Sequence, residues 1–177
     1  MFIPEAIVIH CTATLAHQDF RRKEIDAMHK RRGFSMIGYH GLIGLDGLFE
    51  TGRQLDQIGA HVQGFNLRTT GLSYVGGLRS SDAKPIDTRT DAQQKTMLAK
   101  CKEWLKLYPR AVILGHRDLS PDLNKDGVIE PNEWMKQCPC FDAAKWAKLN
   151  GLPGGKFSWE GVTVKDGSFQ GGKFLRI

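Results

Sequence analysis

Apolar positions along the chain follow two periods. Glu5–Thr12 (EAIVIHCT) and Arg110–Gly115 (RAVILG) are short, nearly unbroken apolar runs with β-branched residues, and each predicts a strand buried on both faces. Ile37–Leu45 and Leu48–Thr51 flank Asp46-Gly47, a two-residue turn signal, and predict a hairpin; Gly71–Leu78 predicts a further strand. Helical spacing appears over Phe20–Arg32, with Ile25 and Met28 inward, Asp19 placed to cap it and Gly33 to stop it. Thr90-Asp91-Ala92-Gln93 is a capping-box signature for a helix to about Tyr108, with Met97, Leu98, Cys101, Leu105 and Tyr108 as its apolar stripe. Pro131 fits the first turn of a short helix carrying Trp134 and Lys136, and Asp142 caps a last helix to Leu149. Asn150–Lys156 (NGLPGGK) reads as a linker. Phe157–Ile177 then alternates around Asp166-Gly167 as a β-hairpin, too small to fold alone.

The 177 residues suffice for one domain with a sizeable core, here residues 1–150, followed by an appendage over 151–177. A hydrophobic share of 41% and a charged share of 25% are ordinary for a globular protein. The net charge of +6 favours an anionic polymer as partner but does not choose among nucleic acid, cell-wall polymer and membrane surface. The basic residues of the first helix lack the aromatic interleaving of a base-stacking surface, and no recognition motif supports nucleic-acid binding. No apolar run is long enough to span a bilayer, and Met1–Ala13 lacks the form of a signal peptide. A monomer made in the cytoplasm, without membrane insertion, is expected. Cys11, Cys101, Cys138 and Cys140 do not make a disulfide framework; metal binding or burial explains them better.

Gly115–Asp142 concentrates the candidate chemistry. Asp122-Leu123-Asn124-Lys125-Asp126-Gly127, five residues, then Glu133 match the calcium-loop pattern D-x-[DN]-x-[DN]-G-x5-E at every specified position. In such a loop Asp122, Asn124 and Asp126 supply side-chain oxygens, Val128 a carbonyl and Glu133 both carboxylate oxygens. An ordinary polar turn is the alternative. The entering helix of a helix–loop–helix is missing, so an EF-hand-like loop with a structural Ca2+ is expected rather than a calcium switch.

His10 and His116 each lie near the exit of a buried strand, and Cys138 follows the second. Two imidazoles and a thiolate would make a three-ligand zinc site with one open position, although residue types and spacing alone leave structural roles open. The blocks IVIHCTAT, GYHGLIGLDGLFETGR, GAHVQGFN, SYVGGL, GHRD and KQCPCFD closely resemble, in order, the zinc-dependent N-acetylmuramoyl-L-alanine amidases of the phage-lysozyme and peptidoglycan recognition protein family. The resemblance covers about Ala6 to Leu149. It implies an α/β fold with a mixed central sheet flanked by helices, and Zn2+ on His10, His116 and Cys138. It places the catalytic tyrosine on Tyr39 and the catalytic lysine on Lys136, and it implies hydrolysis of the lactyl–L-alanine amide of peptidoglycan by a zinc-activated water. His61 and Asn66 are candidates for binding the muramyl–peptide stem, with a structural role for their loop equally open. Cys140 stands where the family usually has a small residue and could compete for the metal; burial is expected for it. A non-catalytic peptidoglycan-binding module on the same fold is the rival reading. Such binders typically lack the cysteine, which is present here.

Overall fold

The computed structural model describes residues 2–177; Met1, the first residue of the expected domain and leader reading, lies outside them. In chain order the strands are β1 (Ala6–Cys11), β2 (Thr14–Leu15), β3 (Gly41–Ile43), β4 (Phe49–Thr51), β5 (Thr69–Tyr74), β6 (Gly77–Leu78), β7 (Val112–Gly115), β8 (Gly155–Ser158), β9 (Thr163–Lys165), β10 (Ser168–Gln170) and β11 (Lys173–Arg176). The helices are α1 (Arg22–Arg31), α2 (Asp91–Leu107) and α3 (Ala143–Leu149). Five strands form the central sheet in the order β4-β3-β5-β1-β7. All pairs are parallel except β3 with β4, so the sheet is mixed and the chain is a single α/β domain.

β1 sits between β5 and β7 with every residue buried, as its unbroken apolar run requires. Its alternation sorts the two faces. Ile7, Ile9 and Cys11 join Met97, Cys101 and Trp104 of α2 and Ala143 and Ala147 of α3. Ala6 and Val8 face the other way, toward Val62, Phe65, Leu119 and Phe157. His10 has the parity of Ala6 and Val8 and therefore points away from α2 and α3.

The capping box is formed: Thr90 Oγ1 accepts the Gln93 N–H at 3.1 Å and Gln93 Oε1 accepts the Thr90 N–H at 3.0 Å. Gln93 also donates to the carbonyls of Ile43 and Val75, tying α2 to the sheet. Asp142 caps α3 through the Lys145 N–H at 2.8 Å. α1 starts two residues later than the sequence pattern suggested. Asp19 engages the Arg21 guanidinium instead, and Glu24 takes the Arg21 N–H.

The short helix expected from Pro131 is replaced by turns. The Met135 N–H, which a helix would give to the Pro131 carbonyl, goes to Ser120 Oγ at 3.0 Å. Glu133 spends its carboxylate on the N–H groups of Leu123, Asn124 and Glu130. Side chains thus take donors that a helix needs.

The last segment packs against the rest of the chain. The Ile113 N–H of β7 donates to the Pro153 carbonyl at 2.8 Å, so residues read as linker lie against the sheet. β8 pairs with β11 and β9 with β10, an antiparallel arrangement nested around the Asp166-Gly167 turn. Phe157, 3% exposed, packs within 5.3 Å (ring centroids) of Phe65, Trp159 and Phe174. Arg68 holds the same segment through the carbonyl of Gly171 and sits 5.1 Å above the Phe174 ring.

Candidate metal centre

Strand geometry delivers the two histidines. His10 is the fifth residue of β1, 1% exposed, and His116 opens the 3-10 turn that follows β7. Because β1 and β7 are adjacent and parallel, their exits coincide, and the two rings lie 4.8 Å apart by centroid. The excursion from Ser120 to Gln137 returns Cys138 to this edge. Its carbonyl accepts the Arg117 N–H at 2.8 Å, and Tyr74 Oη donates to the next carbonyl, that of Pro139, at 2.7 Å. Gly115 is required beside it, since a Cβ there would stand 2.5 Å from Pro139 Cδ.

Ligand atoms of His10, His116 and Cys138 all lie within 4.8 Å of one another, and His10 Nδ1 is 3.7 Å from Cys138 Sγ. The Cys11 N–H points at Cys138 Sγ from 3.3 Å. Burial first, then the neighbouring His116, holds His10 well below the ordinary histidine range. Burial and the Lys136 charge pull His116 down to about 4. Both imidazoles are therefore neutral near pH 7, the form that binds metal. Two neutral imidazoles and a sulfur suit zinc in type and number, with one position left for a reacting molecule.

Tyr39 lies beside this group, its ring 5.1 Å from that of His10; burial raises its pKa and keeps the phenol protonated. Its neighbour His40 faces away: Nδ1 accepts the Gly71 N–H at 3.0 Å and Nε2 meets the Gln57 carbonyl at 2.9 Å. Lys136 is exposed on a turn, close enough for its charge to act on both histidines. Cys140 is half-buried and stays outside the group. Its Sγ donates to the Gly77 carbonyl at 3.3 Å and lies 3.7 Å from Cys11 Sγ.

His61 and Asn66 make their contacts within the protein, behind His10. His61 is buried, with Nδ1 3.0 Å from His10 Nε2 and Nε2 3.3 Å from the Thr69 carbonyl, so both ring nitrogens are engaged inside the protein. Asn66 Oδ1 accepts the N–H groups of His61 and Val62 and shapes the turn that carries His61. No local pattern signals this contact, which joins residues 51 apart. Glycine spacing held one clue, because Cβ atoms at Gly59 and Gly71 would stand 2.4 Å and 2.8 Å from the His61 ring.

The acidic loop does not gather in the same way. Among the described residues, His10, His116 and Cys138 form the one cluster of three or more His, Cys, Asp or Glu ligand atoms at metal-binding separations. Asp122 Oδ2 accepts the Gly127 N–H, Asn124 Oδ1 the Asp126 N–H and Asp126 Oδ1 the Val128 N–H. Glu133 is buried on its three backbone donors, which lower its pKa.

Known proteins resemble this chain in sequence and in fold. The family of N-acetylmuramoyl-L-alanine amidases matches residues 3–140. The endolysin of Enterobacteria phage K11 is 36% identical over 146 residues, covering 81% of this chain and 85% of the endolysin. An uncharacterized protein of Haemophilus influenzae is 49% identical over 102 residues, 58% of this chain and 87% of its own. The solved N-acetylmuramoyl-L-alanine amidase LysC from Clostridium intestinale superposes with a TM-score of 0.63 at 26% identity, over 84% of this chain and 87% of LysC. This chain belongs to that family, the type 2 amidases of the phage-lysozyme and peptidoglycan recognition protein kind. No helix among the described residues is long and apolar enough to cross a membrane.

Proposed function

We propose that the chain is a peptidoglycan amidase that cleaves the bond between the lactyl group of N-acetylmuramic acid and the L-alanine of the stem peptide. The observation that carries this reading is the His10–His116–Cys138 group at the sheet edge with Tyr39 against it. Those three residues would hold zinc, which when bound supplies a polarised water and Lewis acidity toward the amide carbonyl. The Lys136 ammonium stands on the exposed side and meets the oxyanion that develops on that carbonyl. Tyr39, protonated at neutral pH, hydrogen-bonds the reacting groups and passes a proton toward the leaving amine. The two imidazoles stay neutral, so each would have a lone pair to offer the metal. The test is Cys138→Ala in purified protein. Loss of zinc content and of muropeptide cleavage, with an unchanged circular dichroism spectrum, supports the reading; cleavage at the wild-type rate without zinc overturns it.

A second ion is favoured by one specific observation: Asp122 Oδ1 is buried and has no hydrogen-bond partner, at the first position of the matched loop. We infer that Asp122, Asn124, Asp126, Val128 and Glu133 close on calcium and steady the excursion between His116 and Cys138. Glu133 would then trade part of its backbone hydrogen bonding for the cation.

A further inference from the structure

We propose that His61 is a positioning residue that fixes the tautomer of His10, through a proton-ordered chain running from the Thr69 carbonyl to the metal-facing nitrogen. This rests on the reading of His10 as a zinc ligand and extends it to a residue outside the ligand set.

The argument starts at the end of the chain that cannot be reversed. The Thr69 carbonyl can only accept, so the proton shared with it at 3.3 Å sits on His61 Nε2. A neutral His61 then presents a lone pair at Nδ1. That lone pair faces His10 Nε2 at 3.0 Å, so His10 must donate there. His10, neutral in turn, is left with its lone pair on Nδ1, the nitrogen 3.7 Å from Cys138 Sγ. Reversing any one link would set two lone pairs or two protons against each other in a buried site. No carboxylate is hydrogen-bonded to either ring among the described residues, and both rings lie buried in the protein.

The surroundings are built to hold this geometry. The His61 ring occupies a slot that exists because residues 59 and 71 are glycine, and Asn66 pins the backbone at His61 and Val62. The rings of His10 and His61 lie at 90° to each other with centroids 5.0 Å apart, and their facing nitrogens are 3.0 Å apart. A donor hydrogen bond from a metal-bound imidazole raises its basicity and holds its plane, and loss of such a partner commonly costs 10–100-fold in metal affinity.

The test uses the full-length chain, with zinc ion alone as the probe, and compares His61→Asn with His61→Leu. Asn places an acceptor oxygen near the position of Nδ1, whereas Leu fills the slot without one. Competition against a colorimetric chelator should show zinc affinity falling 10–100-fold in His61→Leu and less than about threefold in His61→Asn. Nitrogen-15 couplings of the histidine rings in the wild-type protein before zinc addition should report His10 protonated on Nε2. Wild-type zinc affinity in a folded His61→Leu overturns the proposal, as does a His10 protonated on Nδ1. If His61→Leu does not fold, a loss of about 10–100-fold in a folded His61→Asn overturns it, because the acceptor has been kept. Failure of the wild-type chain to bind zinc would instead count against the metal reading, while the ring spectrum still decides the hydrogen-bond chain.

Discussion

Replacement of Phe157 by alanine tests whether the C-terminal segment is part of the domain that positions the site. Phe157 is 3% exposed and touches Phe65, Trp159 and Phe174 edge-on or tilted, with ring centroids 4.8, 5.3 and 5.0 Å away. Removing the ring forfeits a transfer term of roughly 2–3 kcal/mol. The cavity left among these rings adds about 1 kcal/mol, since Arg68 and the β8–β11 pair restrain their collapse. The sum, about 3–4 kcal/mol, lies in the usual range for a buried Phe→Ala change. For a chain of this size each kcal/mol moves the midpoint by about 2–4 °C, so a fall of about 10 °C is expected. Urea unfolding followed by tryptophan fluorescence, with thermal melts alongside, measures it. The segment lies against β7, the strand that leads to His116, so zinc affinity should weaken with stability. A loss under 1 kcal/mol with an unchanged urea slope would refute the reasoning and make 151–177 a separable appendage.

Lys136→Ala and Tyr39→Phe should each lower amidase turnover on the order of a hundredfold while zinc content stays at the wild-type level, as loss of one oxyanion or proton donor commonly does. Steady-state hydrolysis with parallel metal analysis checks this, and near-normal turnover in both removes them from the mechanism. Burial lowers the pKa of His29 and His40 in the folded state, whereas the unfolded chain takes up protons below about pH 6.5. The unfolded state then binds more protons, so their contribution to stability is complete above that pH and is lost as pH falls. Asp118, pushed up to about 6 by burial, acts in the opposite sense, one carboxyl against two imidazoles. The urea midpoint should be lower at pH 5.5 than at pH 7.5, and a higher one contradicts this assignment. Saturating calcium should raise the melting temperature by about 5 °C, the effect of roughly 2–3 kcal/mol of linked binding, and Asp126→Ala should abolish the response. No response in the wild-type protein makes the loop a polar insertion.

The elements that the sequence made legible are those with local causes. β1 is an unbroken apolar run, α2 opens with a capping box, α3 opens at Asp142, and Asp166-Gly167 turns a hairpin; each is visible within a few residues. The matched blocks single out His10, His116 and Cys138, which the structure brings together, and the parallel register of β1 with β7 gives the reason that His10 and His116 meet. The failures have distant causes. Pro131 begins no helix because Ser120, fifteen residues from Met135, takes the donor that a helix would use. Asp19 leaves its capping position for Arg21, which Asp46 also holds. For His61 the sequence left substrate binding and a structural role equally open; the glycines at 59 and 71 admit its ring to the interior beside His10, a close approach that its own loop does not reveal. Side-chain competition for backbone donors and close approach across the fold do not show in periodicity.

The central claim is a bond assignment, and mass spectrometry of purified peptidoglycan digested by the zinc-loaded protein reads the bond. The account predicts free stem peptides with an unblocked N-terminal L-alanine, glycan strands with intact sugar linkages and free lactyl carboxyl groups, and none of these products with Cys138→Ala. Products cut between sugars or within the stem peptide, or intact peptidoglycan retained by a folded, zinc-loaded protein, would contradict it.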